Sequence, residues 1–286
     1  MKFYILFFWV SLNTIFWTLP LFLITGIKAI IPIGKVKKLL SKVSTWIGEN
    51  WIGFNSWLIA RFTKTKISIH GDKVSSFDCN FLVISNHRSW ADIFILQKVF
   101  NRRIPLLRFF LKKELFWIPF LGPAFWALDF PFMRRYSKAY LKKYPEKAGK
   151  DLEITQKACA KLNHGFVSMM NFPEGTRITS QKHEAQNKEF RNLLKPKAGG
   201  IAYTLEAFNG RIQKMLDVTI VYPKQDNVSM ADLLNSKISE IKVHIRQIDI
   251  PNEYLNRNYA GDEKFKTEFQ DWVNQIWLDK DIILDQ

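Results

Sequence analysis

The fold of this 286-residue chain is decided by one stretch, FLVISNHRSWAD at residues 81–92. Its first four residues are apolar, and such a short run is typical of a parallel strand that is buried on both faces. The strand ends at Asn86, and apolar side chains then recur at helical spacing over residues 91–100. A buried strand that leads through a polar turn into a helix is the unit from which α/β sheets are built.

The rest of the chain continues this alternation of strands and helices. Further strands are predicted at residues 66–71, 166–172, 217–222 and 241–245. Further helices are predicted at residues 146–162, 200–208 and 264–278. This order predicts an α/β fold with a mixed, mostly parallel central sheet flanked by helices. The domain is predicted to cover residues 64–286, with a C-terminal extension from about residue 225.

An apolar segment without charge precedes this domain. Residues 3–27 would form a helix of about 37 Å, which is enough to cross the ~30 Å hydrocarbon core of a bilayer. Pro20 divides the segment, so a bent or re-entrant helix pair is an alternative, as is a buried core helix. Residues 36–62 follow as an amphipathic helix that lies either on a membrane or on the next domain. We therefore predict that residues 1–63 anchor the chain through an N-terminal membrane helix or a two-helix membrane motif.

The chain is strongly basic, with a formal net charge of +16. Only Lys2 precedes the apolar segment, whereas five lysines follow it closely: Lys28, Lys35, Lys37, Lys38 and Lys42. Because basic residues favour the cytoplasmic side, we expect the remaining chain to lie there, against an anionic membrane surface. A nucleic acid would suit the same charge, but no recognisable nucleic-acid-binding motif accompanies it, and no such partner is expected. The cysteines and the other histidines lack the spacing of metal ligands, so no metal site is expected.

His87 and Asp92 form the first candidate site. A neutral imidazole at the turn between a strand and a helix can take a proton from a hydroxyl group. Asp92 can accept from the other ring nitrogen if His87 lies before the helix and Asp92 lies in its first turn. Ser89 as the N-cap gives that geometry. The S-x-x-D spacing equally makes Asp92 a capping residue, so both roles stay open.

The second candidate site is FPEGTR at residues 172–177, directly after a predicted strand. Pro173 and Gly175 predict a tight turn, and Arg177 is a planar cation suited to bidentate contact with a phosphate. Thr176 adds a neutral donor. Glu174 is predicted either to contact a substrate hydroxyl or to hold Arg177 in place. Ligands bind outside the carboxyl ends of parallel strands, so we expect both sites to meet there.

Together the two sites resemble the motif blocks of the glycerophospholipid acyltransferases of the 1-acylglycerol-3-phosphate O-acyltransferase type. The first block of that family, N-H-x-x-x-x-D, is matched by Asn86, His87 and Asp92, and its third block, F-P-E-G-T-R, is matched in full. The resemblance covers roughly residues 67–223. Residues 127–135 and 217–223 look most similar to a sub-branch that contains bacterial inner-membrane enzymes and lysocardiolipin or lysophosphatidylinositol acyltransferases.

The resemblance implies an enzyme that moves a fatty acyl group from an acyl thioester to the free hydroxyl of a lysophospholipid. The donor is acyl-CoA or acyl carrier protein, and no cofactor is expected beyond this co-substrate. The expected acceptor is 1-acylglycerol-3-phosphate, with a lysophosphatidylglycerol, lysophosphatidylinositol or lysocardiolipin type as the alternative. The implied location is the bacterial inner membrane, with the catalytic domain on the cytoplasmic side. An inactive lipid-binding scaffold and a lipid hydrolase are the alternatives from other classes.

The resemblance also implies roles for individual residues. His87 and Asp92 would be catalytic, and Lys112 would contact the oxyanion or the thioester. The substrate phosphate would be bound by Glu174, Gly175, Thr176, Arg177 and Arg134. The motifs would be supported by Asn86, Ser89 and Pro173. Six aromatic residues before Arg134 suit an acyl groove, the bilayer interface or an ordinary core: Trp117, Phe120, Phe125, Trp126, Phe130 and Phe132.

Overall fold

The computed structural model describes residues 2–133, 153, 155–157, 159, 162, 165–186, 189–223, 225 and 228–285. It begins with two long helices, α1 (Lys2–Ile30) and α2 (Gly34–Phe62), which pack against each other. Helix α1 runs unbroken through Pro20, so the segment is one helix rather than a broken pair. The N-terminal region is therefore a hairpin of two helices.

Polar side chains fix the two helices of this hairpin against each other. The side-chain amide of Asn13 donates to the carbonyl of Trp51 at 3.1 Å and to the side-chain oxygen of Asn55 at 2.9 Å. The indole N–H of Trp51 donates in turn to the hydroxyl of Thr14 at 3.2 Å. Because polar groups in apolar surroundings are costly without partners, these bonds favour a single register between the helices.

Both ends of α1 are attached to the domain that follows. Near its start, the backbone N–H of Phe3 donates to the side-chain oxygen of Asn235 at 3.2 Å. Near its end, the ammonium of Lys28 lies 3.5 Å from the carboxylate of Asp129. Leu6 and Leu21 are buried in the core between these two points. The helix therefore lies along the domain instead of projecting away from it.

Much of the surface of α1 is apolar and exposed to the surroundings. Among the described residues, α1 is the one helix that is long and apolar enough to cross a membrane. Only 22% of its most apolar window is buried, so the alternative of a buried core helix is wrong. Its exposed apolar side chains include those of Tyr4, Phe7, Phe8, Phe16, Leu19 and Leu23.

Six strands form the central sheet: β1 (Lys66–Gly71), β2 (Asn80–Ser85), β3 (Leu107–Phe109), β6 (Ser168–Asn171), β7 (Ile212–Val221) and β8 (Glu240–Asp249). Two short strands pair beside it, β4 (Leu111–Lys112) and β5 (Phe132–Met133). The order across the central sheet is β1-β8-β7-β2-β6-β3. All its neighbours are parallel except β7 and β8. The predicted mixed, mostly parallel sheet is confirmed.

Helices cover both faces of this sheet. Those described after the hairpin are α3 (Ala91–Phe100), α4 (Leu121–Ala127), α5 (Ser180–Glu184), α6 (Gly199–Ala207), α7 (Met230–Leu234) and α8 (Glu263–Leu284). Side chains of β2 alternate between two cores, as the pleat of a strand requires. Phe81 and Val83 join the core under the hairpin, α3 and α4, whereas Leu82 and Ile84 join the core under α6 and α8.

The C-terminal part of the chain has a different role in the fold from the predicted one. Residues beyond 225 were expected as an extension, but β8 lies between β1 and β7 and completes the sheet. Helix α8 buries Phe269 and Trp277 completely. Strand β7 begins at Ile212 rather than 217, because Ile212 pairs with Asn80 of β2 and Lys214 pairs with Asp249 of β8. The predicted helix at 146–162 lies largely outside the described residues.

Candidate active site

The two candidate sites meet at the carboxyl edge of the parallel strands β2 and β6. These strands pair directly, with Ile84 opposite Asn171, so the residues that follow them emerge side by side. The ring of His87 stacks on that of Phe172, with centroids 3.9 Å apart. The carbonyl of His87 accepts from the backbone N–H of Ile178 at 3.0 Å. The expectation that both motifs come together at one edge is confirmed.

Asp92 is fully buried and accepts hydrogen bonds through both carboxylate oxygens. Its Oδ2 atom lies 2.8 Å from Nδ1 of His87 and accepts from the backbone N–H groups of Arg88 and Ser89 at 2.7 and 2.8 Å. Its Oδ1 atom accepts from the hydroxyl of Tyr222 at 2.5 Å. Asp92 therefore orients the histidine and also fastens the turn before α3, although Ser89 and Asp92 do not form the predicted capping box because α3 begins one residue later, with Trp90 as its N-cap.

This arrangement decides which nitrogen of His87 is available for chemistry. An ionised carboxylate only accepts hydrogen bonds, so Nδ1 carries the proton of the neutral imidazole and Nε2 keeps its lone pair. The side chain of His87 is 14% exposed, whereas that of Asp92 is not exposed at all. A histidine whose outer nitrogen is reachable, and whose inner nitrogen is held by a buried carboxylate, has the geometry of a general base.

Asn86 and Ser89 hold the turn on either side of His87. The side-chain amide of Asn86 donates to the carbonyl of Ile220 and accepts from the N–H of Ile220, both at 2.9 Å. These two bonds join the end of β2 to β7. The hydroxyl of Ser89 accepts from the backbone N–H of Ala91 at 3.1 Å, at the first turn of α3. Both residues therefore hold the turn that carries the histidine, but the N-cap of α3 is Trp90 rather than the predicted Ser89.

Glu174 has a different position from the predicted one. Its side chain is buried, with a relative exposure of 2%, and its Oε1 atom accepts from the backbone N–H of His87 at 3.0 Å. A carboxylate enclosed in this way does not reach a phosphate or a hydroxyl at the surface. The Glu174 side chain therefore points inward and joins the two motifs, and its predicted contact with substrate stays a prediction.

Burial also changes the ionisation of Glu174. It raises the pKa of this carboxyl to about 8, although the N–H groups of the His87 and Leu194 backbones act in the lowering direction. The negative charge of Asp92 raises the same pKa further, whereas the ammonium of Lys280 opposes it. Near neutral pH, Glu174 is therefore largely a neutral acid inside the protein.

The FPEGTR turn has the tight form that its sequence predicts. The backbone N–H of Gly175 donates to the carbonyl of Phe172 at 2.9 Å. Gly175 has a φ of +71°, in the left-handed region where a side chain is disfavoured. Pro173 is buried, and its carbonyl accepts from the N–H of Lys197 at 2.9 Å. The turn therefore directs the residues after Gly175 toward the surface.

A group of cations surrounds the exposed side of this turn. The guanidinium of Arg177 lies over the ring of Trp90, 5.2 Å from its centroid. The ammonium of Lys182 donates to the hydroxyl of Thr176 at 2.6 Å and to the carbonyl of Arg177 at 3.1 Å. The side chain of Lys197 passes beside Gly175. Their summed positive charge at this turn suits an anionic group.

Two of the predicted residues are not placed at this site by the structure. Lys112 lies in β4 opposite Met133 of β5, with its side chain exposed. Arg134, the next residue after β5, lies outside the described residues. Their predicted contacts with substrate stay predictions.

Three residues of the site were missed on the sequence. Tyr222 contacts Asp92 from the end of β7, and burial together with the Asp92 charge raises the pKa of its phenol well above the ordinary value. Its hydroxyl therefore remains a donor. Lys182 and Lys197 reach the turn from later segments. In the sequence, only Tyr222 could have been identified, from its position at the end of a predicted strand. The two lysines could not, because they resemble the other surface lysines of a basic chain.

The fold and the site define a class of α/β proteins in which a His–Asp pair and a cationic turn share one edge of a parallel sheet. A family model described as Acyltransferase matches residues 66–223, which is more than half of the chain. The chain belongs to this acyltransferase family. The matched range contains both motifs and ends directly after Tyr222.

Individual proteins similar to the chain are named for acyl transfer to lysophospholipids. The Arabidopsis thaliana protein named probable 1-acyl-sn-glycerol-3-phosphate acyltransferase 5 is 27% identical over 76% of this chain and 58% of its own length. The Saccharomyces cerevisiae 2-acyl-1-lysophosphatidylinositol acyltransferase is 26% identical over 74% of this chain and 62% of its own length. The chain thus spans about three fifths of these curated relatives.

A solved structure has the same fold over nearly the whole chain. It is the 1-acyl-sn-glycerophosphate (LPA) acyltransferase PlsC from Thermotoga maritima, which matches with a TM-score of 0.51 and 17% identity. The match covers 96% of this chain and 98% of that chain. It therefore includes the N-terminal hairpin and the C-terminal helix.

Proposed function

We propose that this protein transfers a fatty acyl group from an acyl thioester to the free hydroxyl of a lysophospholipid. The observation that carries the proposal is the contact between the two motifs, in which Glu174 joins the turn of His87 to the turn of Arg177. This contact supports the proposal because it holds the turn of His87 close to the cationic turn. Esterification of a hydroxyl near a phosphate needs both parts.

In the proposed reaction, Nε2 of His87 removes the proton of the acceptor hydroxyl as the oxygen attacks the thioester carbonyl. Asp92, 2.8 Å from Nδ1, stabilises the imidazolium that forms. Collapse of the tetrahedral intermediate breaks the carbon–sulfur bond, and the imidazolium returns its proton to the departing thiolate. No acyl-enzyme is needed, because the thioester is already an activated acyl group.

The acceptor phosphate is proposed to bind at the cationic turn. Arg177 supplies a planar pair of donors, and Lys182 and Lys197 add charge from the same surface. Arg134 is proposed as a further phosphate contact and Lys112 as a donor to the oxyanion or thioester.

The acceptor in this proposal is 1-acylglycerol-3-phosphate, the substrate class in the name of the Arabidopsis relative. The name of the yeast relative supports a second candidate, a lysophospholipid with an inositol headgroup. Both acceptors carry the phosphate and the free glycerol hydroxyl that the proposed site recognises. The acyl donor is proposed to be acyl-CoA or acyl carrier protein.

We further propose that the hairpin seats the domain on one leaflet of a membrane. Helix α1 is tied to the domain at Phe3 and at Lys28, so its length runs along the domain surface. A helix held in this way presents its apolar side to lipid without crossing the bilayer at right angles. The lysines that follow α1 favour the cytoplasmic side, and a bacterial inner membrane is the proposed location.

The proposal is tested by offering labelled acyl-CoA and acyl carrier protein thioesters to the membrane-bound protein with a panel of lysophospholipids. His87→Ala should abolish incorporation of label into phospholipid. His70→Ala is the matched control, because His70 lies on the exposed edge strand β1. A hydrolase would instead release free fatty acid without an acceptor. Incorporation into none of the acceptors, or near wild-type rates for His87→Ala, would defeat the proposal.

A further inference from the structure

An apolar loop projects from the protein between β4 and β5. We call residues 113–131 the aromatic loop. Its outward side chains are those of Trp117, Ile118, Phe120 and Trp126, with relative exposures of 80%, 40%, 43% and 50%. Single exposed apolar residues are ordinary on a protein surface, but a cluster of four in one short loop marks an interaction surface.

The close-packed backbone of the loop keeps these side chains exposed. Gly122 packs so closely that a Cβ atom there would lie 2.1 Å from the carbonyl oxygen of Phe116. The backbone N–H of Gly122 donates to the carbonyl of Ile118 at 2.9 Å. Phe120 is held at a φ of +61°, a disfavoured conformation for a residue with a side chain. Burial within this chain does not offset that strain, because the ring stays partly exposed.

The part of the aromatic loop nearest the domain, which contains helix α4, contacts the helical hairpin. Helix α4, inside the loop, packs against α1. The ring of Phe125 lies 5.8 Å from that of Trp51 in α2. The apolar surface of the loop is therefore attached directly to the helices that are proposed to meet the membrane.

A series of aromatic rings in consecutive contact connects the same part of the loop to His87. Phe125 lies 4.9 Å from Phe130, which lies 6.5 Å from Phe109. Phe109 lies 6.4 Å from Phe172, on which His87 stacks. The loop thus stands between the hairpin and the active-site edge of the sheet. This position suits contact with the surface that supplies the acceptor lipid.

We propose that the aromatic loop is a second membrane-insertion element. Its tip enters the interfacial zone of the leaflet in which the hairpin lies, and the exposed Lys113 at its base faces anionic headgroups. Indole rings suit this depth, since they combine a large apolar surface with one polar N–H group. Insertion would fix the active-site edge at the lipid surface. This inference rests on the membrane seating proposed above.

The test uses the full chain reconstituted on vesicles of phosphatidylcholine and phosphatidylglycerol. Cys79→Ser removes the partly exposed thiol, and the buried Cys159 is retained. Trp117→Cys then carries an environment-sensitive dye, and quenching by lipids with a shallow nitroxide is measured. The matched control is Ile282→Cys on α8, which is 63% exposed on the opposite side of the sheet.

We expect strong quenching of the dye at position 117 and little at position 282. This readout needs no catalysis, so it is separate from the test of acyl transfer. Equal quenching at the two positions would overturn the proposal. Strong quenching at 117 on purely zwitterionic vesicles, undiminished by the loss of phosphatidylglycerol, would overturn the role given to Lys113.

A second variant tests the consequence for substrate access. Trp117→Ser combined with Trp126→Ser should raise the apparent KM for a vesicle-borne lysophospholipid roughly tenfold, as expected for two interfacial tryptophans. Turnover of a short-chain, water-soluble lysophospholipid should stay unchanged, since neither side chain belongs to the catalytic site. A parallel loss of both activities would assign the loop to the fold or to an acyl groove. An unchanged KM on vesicles would also refute insertion.

Discussion

The position of Glu174 makes a prediction that separates a structural role from a substrate contact. Glu174→Gln keeps an oxygen that accepts from the His87 backbone N–H but removes the ionisable group. Glu174→Ala removes both. If Glu174 joins the two motifs, the glutamine variant should keep most of the kcat and the acceptor KM of the wild type. The alanine variant should lose about 1–3 kcal/mol of stability for the unpaired buried N–H, together with most of its activity.

The stability effect has a definite dependence on pH. The folded-state pKa of Glu174 is about 8, above the ordinary value of 4.5. Between these two values the folded protein binds one proton more than the unfolded chain, so stability falls as pH rises. At ~1.36 kcal/mol per pH unit, the interval corresponds to roughly 5 kcal/mol as an upper limit. Because the glutamine side chain is neutral at every pH, Glu174→Gln should escape this loss.

The assay is thermal or denaturant unfolding of the wild type and Glu174→Gln in the same detergent at pH 5 and pH 8. The two proteins should be similarly stable at pH 5, and the variant should be the more stable of the two at pH 8. If the stability of the wild type and of Glu174→Gln changed by the same amount between pH 5 and pH 8, the inferred protonation of Glu174 would be refuted. A large rise in the acceptor KM for Glu174→Gln would instead restore the substrate contact predicted on the sequence.

Three further substitutions test other parts of the site and its support. Tyr222→Phe removes the hydroxyl that donates to Asp92 and should lower kcat with an unchanged acceptor KM, and unfolding should show a loss of about 1.5–3 kcal/mol. Arg177→Ala should raise the KM for the phosphate acceptor about tenfold, measured against a lysophospholipid titration, while Arg177→Lys restores part of the affinity. Lys280→Ala removes an ammonium that lies 2.6 Å from Asp217 and should destabilise the protein by about 3–5 kcal/mol in denaturant unfolding.

The central strands and the first catalytic pair were predictable because their signals are local. A run of apolar residues followed by a polar turn and a helical period describes β2, His87 and α3 without reference to any distant residue. The turn at Gly175 was predictable for the same reason. A left-handed backbone position favours glycine, and Gly175 in a proline-containing turn indicates such a position.

The direction in which a side chain points was not predictable. Glu174 turns inward because β2 and β6 are neighbours in the sheet, which brings the His87 N–H within reach. Lys280 is wholly buried because α8 crosses under β7, where the carbonyl of Val218 accepts from its ammonium at 2.6 Å. Nothing around either residue in the sequence marks it as buried.

The sequence by itself determined the order of strands and helices, the apolar N-terminal segment and the two motifs, since each depends on spacing along the chain. Only the tertiary structure decided that α1 lies along the domain, that β8 completes the sheet, and that Tyr222 and two lysines join the site. These features depend on contacts between segments far apart in sequence. Such contacts are fixed by the packing of the whole sheet and its helices, and no local pattern records them.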